Sequence, residues 1–407
     1  MTRVMTDGQF HIKRVAAIQA ALQKTIGLDG WLFYDFRGSD PLAYRVLGLD
    51  ATRHVTRRWY YWLPAQGQPV KLLHRIEPRM LEDLPGETRL YLSWDEQQVS
   101  LKSLLQPAKR IAMQYSPLNA IPYISRVDAG TVELIRSFGL DVVTSADLVQ
   151  RFEAVWDDGQ LASHRFAAEK LRAIVDEAFA RVRDSMTSRT SLSEYELQQF
   201  ILVRMRAHGL ITSSPPIVAV NAHSADPHYA PRSLGSSVIG DGSLVLIDLW
   251  AKRPEPGSVY ADITWTGYVG SIVPPRQREV FSIVRAARDG ALACVSNHIA
   301  RGSYPGGREV DDVCRQVIRQ AGYADQFLHR TGHSIGEEVH GNGANLDNLE
   351  TQDSRCLMPR TCFSIEPGIY LPGQFGIRSE IDVYISEREA LVFGQPIQTD
   401  IISILGS

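Results

Sequence analysis

The residues able to do chemistry gather in the second half of the chain. Asp248 stands inside the apolar run 244–249, and Asp262 opens a second run, 261–266, after a turn rich in Pro and Gly. The segment "TGHSIGEEVHG" brings His333 and His340, "FSIEPGIY" brings Glu366, and "GIRSEIDVYIS" brings Arg378 and Glu380. Upstream, "NAHSADPHYAP" supplies His223 and His228. A lone carboxylate among apolar residues costs several kcal/mol unless it is paired or bound to a metal. Each acid alone reads as a satisfied turn or core group. Together, four carboxylates and at least one imidazole on apolar strands call for cations. Oxygen-rich ligation with one imidazole suits manganese, magnesium, cobalt or iron and tolerates zinc. No HExxH motif is present, which removes the single-zinc arrangement built on that motif. Two divalent ions with one hydroxide between them nearly neutralise four carboxylates, and a two-metal centre of this kind hydrolyses.

Two domains are expected to position these groups. The chain has 407 residues, enough for two cores. Residues 1–157 read as an α/β domain, with a helix over 10–24 and strands over 31–36, 59–64, 70–73, 89–94 and 110–115. The pattern changes at Asp157-Asp158-Gly159. Residues 158–407 read as an α+β domain opened by a long helix over 161–186. A second helix starts at Ser193, where Ser193 and Glu196 form a capping box and Leu192 and Leu197 a hydrophobic staple, and it stops at Gly209. Further helices are expected over 276–300 and 309–321. Strands are expected over 217–220, 244–250, 262–269, 362–370, 376–386 and 390–393.

Composition excludes several classes. The net charge is −3 with both signs interspersed, which argues against a nucleic-acid partner. The pair Arg57-Arg58 beside Trp59-Tyr60-Tyr61-Trp62 reads as a strand with aromatic packing. The four cysteines show no CxxC spacing, so neither a disulfide framework nor a thiolate zinc site is indicated. No stretch reaches 18 apolar residues and residues 1–15 hold no apolar leader, so no membrane partner and a cytoplasmic location are expected.

With these motifs in order, the second half resembles the pita-bread metallopeptidases, which include methionine aminopeptidase, aminopeptidase P and prolidase, with creatinase as a metal-free relative. The family's ligand order of Asp, Asp, His, Glu, Glu falls on Asp248, Asp262, His333, Glu366 and Glu380. The α/β domain before it is similar to that of prolidase and aminopeptidase P. The resemblance implies two divalent ions, manganese first among manganese, cobalt, zinc, iron and magnesium. It implies that a hydroxide bridging them attacks the scissile carbonyl of an Xaa-Pro bond, with Glu366 as ligand and proton shuttle. His228, in a Pro-His-Tyr context, and His340 would hold the substrate or the tetrahedral intermediate, and Arg378 would orient the site. The substrate implied is a small peptide with proline second, and the implied assembly is a homodimer. An Xaa-Pro dipeptidase is expected ahead of aminopeptidase P, because the first domain is short and the chain ends soon after the last ligand. A non-catalytic binding protein, or a metal-free creatinase-like hydrolase, should lack the acids. The chain departs from the family pattern in three places. Trp265 replaces a cation, so any charge-neutralising role there is lost or transferred; Leu249-Trp250 stand where small residues are usual; and the turn between the two aspartates is long.

Overall fold

The computed structural model describes residues 7–406. Its contacts divide the chain into two compact units, Met1–Glu153 and Ala154–Ser407. No helix among the described residues is long and apolar enough to cross a membrane.

In the first unit the elements run α1 (Asp7–Lys24), β1 (Gly30–Asp35), α2 (Pro41–Leu47), β2 (Trp59–Pro64), β3 (Val70–His74), β4 (Glu87–Tyr91), α3 (Trp94–Leu105), β5 (Arg110–Met113), α4 (Ala129–Ser137), β6 (Asp141–Thr144) and α5 (Ala146–Val149). The strands form one mixed sheet in the order β4-β3-β2-β1-β5-β6. Strand side chains alternate between faces. Trp31, Phe33, Trp59 and Tyr61 therefore pack beneath α1 and α2, while Leu32, Tyr34, Tyr60 and Trp62 pack against α3 and α4. Covering both faces explains why β2 reads as an unbroken aromatic run, and its rings are buried rather than available for stacking on a ligand. The strand expected over 89–94 ends earlier, at Tyr91. Ser93 instead caps α3 by accepting the Glu96 N–H, so residues 92–94 turn into a helix.

The second unit opens with α6 (Asp158–Ser188) and α7 (Glu194–Ala207), each started by a capping box, Asp157 with Gln160 and Ser193 with Glu196. Strands β7 (Ile217–Val220), β8 (Leu244–Ala251) and β9 (Ala261–Tyr268) follow, then α8 (Pro275–Ala300), α9 (Gly307–Gln320), β10 (Ser334–Ile335), β11 (Cys362–Ile365), β12 (Gly368–Leu371), β13 (Phe375–Arg378), β14 (Ile381–Ile385), β15 (Ala390–Val392) and β16 (Ile402–Ser403). One sheet has the order β16-β9-β8-β7 and another β10-β11-β14-β15, with β12 and β13 as a separate pair. The strands expected over 362–370 and 376–386 are each divided in two. Pro367 cannot donate to a ladder and the pairing of β11 ends at Ile365, just before Glu366, and the second break falls at Ser379-Glu380, so Glu380 lies between strands rather than inside one. Both breaks fall where an acid leaves the ladder. No disulfide forms among the described cysteines, and Cys314, on α9, is a core residue in one cluster with the buried face of α8.

Candidate metal centre

The β8–β9 pair sets the site. Asp248 is opposite Thr264 and Trp250 is opposite Asp262, so all four occupy one face of the ladder. On the other face, Ile247, Leu249, Ile263 and Trp265 pack with Leu171, Val175 and Phe179 of α6 and Ile201 of α7. The period of two thus sorts acids to one side and core to the other, which is why an aspartate can sit in an apolar run. From the facing segments come His333 just before β10, Glu366 just after β11 and Glu380 just before β14.

Ligand atoms of Asp262, His333 and Glu380 all lie within 4.8 Å of one another. His333 Nε2 is 3.4 Å from Glu366 Oε1 and 3.8 Å from Asp262 Oδ2. Thr264 Oγ1 donates to Glu380 Oε2 at 2.6 Å, lies 3.1 Å from Asp248 Oδ1 and accepts from Arg378 Nε at 3.0 Å. The Arg378 guanidinium pairs with Asp248 and reaches the Pro227 carbonyl at 3.5 Å and the Tyr370 hydroxyl at 3.4 Å. Of the expected catalytic groups, His340 stacks edge-on against His333, with ring centroids 4.2 Å apart. His228 is exposed, and its charge is felt at both Asp248 and His340. His223 lies apart from the acids, bound to Glu194.

Electrostatics show what the cluster lacks. Burial pushes Asp262 and Glu380 well above the usual carboxylate range, and the neighbouring acids push them further. Burial likewise raises Asp248, against the pull of Arg378, and lifts Glu366 to about 7. Burial lowers His333 well below its ordinary value and His340 to about 4, with Arg330 adding to both. Asp262 Oδ1 and Asp382 Oδ1 have no hydrogen-bond partner among the described residues. A crowded, oxygen-rich, under-neutralised set with one neutral imidazole fits hard divalent cations.

Sequence reading missed several residues that hold this set. Ser364 accepts the His333 N–H at 3.0 Å and donates to Glu366 Oε1 at 3.0 Å, and Asp382 Oδ2 accepts the Asp262 N–H at 2.7 Å. Ser364, Thr264 and Asp382 each stand two positions from a candidate ligand, so alternation along the strand was the signal available. Gly332 is a close approach: a Cβ there would lie 1.9 Å from the Ser364 carbonyl oxygen. The departures are also placed. Trp265 faces the core, where Arg172 of α6 stacks with its guanidinium carbon 3.7 Å from the ring centroid, so a cation is retained on that side. Trp250, in contrast, shares the face of the acids. The long turn is tied down by Lys252 Nζ, which donates to the Glu337 carbonyl at 2.6 Å, and by Tyr260 N–H, which donates to Gly336 at 2.9 Å.

Residues 162–387 match the family described as metallopeptidase family M24. This chain belongs to metallopeptidase family M24. Its fold is the pita-bread fold, preceded by the α/β unit. An Xaa-Pro dipeptidase of Lactobacillus delbrueckii subsp. lactis is 29% identical over 235 residues, covering 58% of each chain, so less than two thirds of that relative is matched. A probable dipeptidase PepE of Mycobacterium tuberculosis is 27% identical across 95% of this chain and 94% of its own length. The crystal structure of dipeptidase PepE from Mycobacterium ulcerans superposes with a TM-score of 0.68 at 27% identity, covering 98% of this chain and 99% of that one. An M24 chain is a metallopeptidase by family, and the family implies divalent metal ions, which Asp262, His333 and Glu380 are placed to hold.

Proposed function

We propose that this M24 chain hydrolyses Xaa-Pro dipeptides, as an Xaa-Pro dipeptidase. The observation that carries the reading is the meeting of Asp262, His333 and Glu380 within 4.8 Å, with Glu366 and Asp248 adjoining. The dipeptidase names of the relatives support the choice of a dipeptide over a longer peptide. Asp248, Asp262, His333, Glu366 and Glu380 would hold two divalent ions, which when bound supply Lewis acidity to the carbonyl and make a water acidic enough to ionise at neutral pH.

The remaining work falls to side chains. Glu366 takes the proton of the attacking water on its carboxylate and delivers it to the prolyl nitrogen as the bond breaks. Ser364 fixes the carboxylate for both transfers. His340, held neutral by burial, offers a ring N–H to the substrate oxygen as it gains charge, and His228, carried on the connection between β7 and β8, helps to hold the substrate. Arg378, anchored to Asp248 and Thr264, keeps the Asp248 carboxylate oriented. The Xaa-Pro amide has no N–H, so no acceptor in the site is required to bind one.

We propose further that the resident ion is manganese, which the oxygen-rich donor set suits, that two copies associate, and that the enzyme works in the cytoplasm. Metal analysis with native mass determination tests the first two. The activity itself is tested by comparing hydrolysis of Ala-Pro with that of Ala-Pro-Ala after manganese loading. Cleavage of the tripeptide alone would make the chain an aminopeptidase P, and cleavage of neither would end the proposal.

A further inference from the structure

Apart from the acid cluster, another carboxylate is buried in the second unit with an organising pattern of donors. Glu194 is the first residue of α7 and has no exposed surface. Its Oε1 accepts the Val220 N–H at 2.7 Å and lies 2.9 Å from His223 Nδ1. Its Oε2 accepts the Tyr229 hydroxyl at 2.7 Å and the Ser237 N–H at 2.8 Å. The rings of His223 and Tyr229 stack, 4.3 Å between centroids. One carboxylate thus joins the beginning, middle and end of the connection between β7 and β8. Hydrogen bonds to an ionised group are about twice as strong as neutral ones, and a buried anion left without them costs several kcal/mol.

That connection carries His228, between Pro227, whose carbonyl faces Arg378 at 3.5 Å, and Tyr229, whose hydroxyl is held by Glu194. His228 is exposed, and its own backbone N–H bonds only locally, to Asp226 at 3.0 Å. Its position is therefore inherited from its two neighbours. Ser224 adds an anchor by accepting the Gly376 N–H at 2.8 Å, in a contact where a Cβ on Gly376 would lie 2.1 Å from the Ser224 carbonyl oxygen.

We propose that Glu194 is a positioning residue, which clasps the 220–237 connection and so fixes His228 over the acid cluster. The inference rests on the reading above that His228 meets the substrate. Glu194→Gln preserves shape but offers one acceptor oxygen where two are used. With manganese-loaded enzyme and Ala-Pro, E194Q should lower kcat/KM on the order of 10²-fold, since displacing an aligned group by an ångström costs about that much. Its metal content should stay that of the wild type. Trypsin should nick the exposed bond after Arg232 faster in E194Q than in the wild type.

A double-mutant cycle with His228→Ala separates the outcomes. If Glu194 acts through His228, E194Q costs no more than about twofold in the H228A background. A full loss in that background overturns the proposal. A fully active H228A removes the role of His228 instead, and the tryptic rate then decides alone whether Glu194 holds the segment. Should E194Q fail to fold, Tyr229→Phe withdraws a single donor and should show the same coupling at smaller size; additivity with H228A there would equally overturn the proposal.

Discussion

Trp250 sits directly across the β8–β9 ladder from Asp262, so a half-buried indole shares the strand face of the candidate ligands. Its Nε1 has no hydrogen-bond partner among the described residues, while the side chain packs against two apolar clusters, one holding Ile217 and Leu246 and the other Val259 and Tyr260. Trp250→Ala should leave metal content unchanged and widen the space beside the acids. Relative kcat/KM for Xaa-Pro substrates with large and small first residues should then shift on the order of tenfold toward the large one. An unchanged ranking across such a series would place the indole outside the substrate site.

Trp265 predicts the opposite behaviour. The residue is 4% exposed and packed in the core between the sheet and α6. Trp265→Ala should cost about 3–5 kcal/mol in chemical denaturation. At temperatures where the variant remains folded, its kcat should be close to that of the wild type. A variant with normal stability and lost turnover would contradict the assignment of this residue to the core.

Metal should reverse the sign of the Asp262 contribution. Without ions, burial and the surrounding acids make this carboxylate unfavourable, so metal-free Asp262→Asn should be at least as stable as the metal-free wild type. Adding manganese at about 100 times its dissociation constant should stabilise the wild type by about 2.7 kcal/mol and D262N far less. Thermal unfolding with and without manganese reads both halves of this prediction. Equal stabilisation of the two proteins would remove Asp262 from the ligand set.

Gly332 carries a sharp steric expectation. Gly332→Ala must push back the Ser364 carbonyl, whose residue also holds His333 and Glu366. The variant should lose stability by more than about 2 kcal/mol and bind metal more weakly. Calorimetric titration of the metal beside urea unfolding checks the pair of effects, and an alanine accommodated with neither would refute it.

His164 gives a pH dependence. Its Nδ1 is 2.7 Å from the Tyr260 carbonyl oxygen, and burial pushes its pKa down to about 4. The unfolded chain takes up this proton first, near pH 6.5, so the stability contributed at neutral pH is lost progressively as pH falls from about 6.5 to about 4, on the order of 3 kcal/mol. The raised acids act with the opposite sign in metal-free protein, which makes the comparison with His164→Asn the informative one. Unfolding free energies at pH 7 and pH 4.5 should fall further for the wild type than for H164N; parallel losses would exclude His164 as the cause.

Much of this was legible in residue order. Apolar runs located β7, β8 and β9, apolar periodicity located α6 and a capping box located α7, because these signals are local. The acids stood out because a carboxylate in an apolar run is costly anywhere. Strand breaks at Glu366-Pro367 and Ser379-Glu380 were hidden, since Ile369 and Ile381 beyond them are buried like Ile365 and Ile377 before. The side taken by Trp265 could have been read from its odd spacing to Asp262, but its chemical contrast with the family pattern drew attention toward the site. Glu194 left no mark at all: at the first turn of a helix an acid is explained by the helix, and its four distant partners meet only in three dimensions.

The alternation along β8 and β9 also guards against mispairing. Sliding either strand by one residue would drive its aspartate into the dry layer beneath α6 and bring an aliphatic or indole side chain out among the opposing acids. Such a slipped ladder would bury a charge with no counter-ion and forfeit the packing of the core at once. The residues that serve the reaction thereby help the chain to find its one workable pairing.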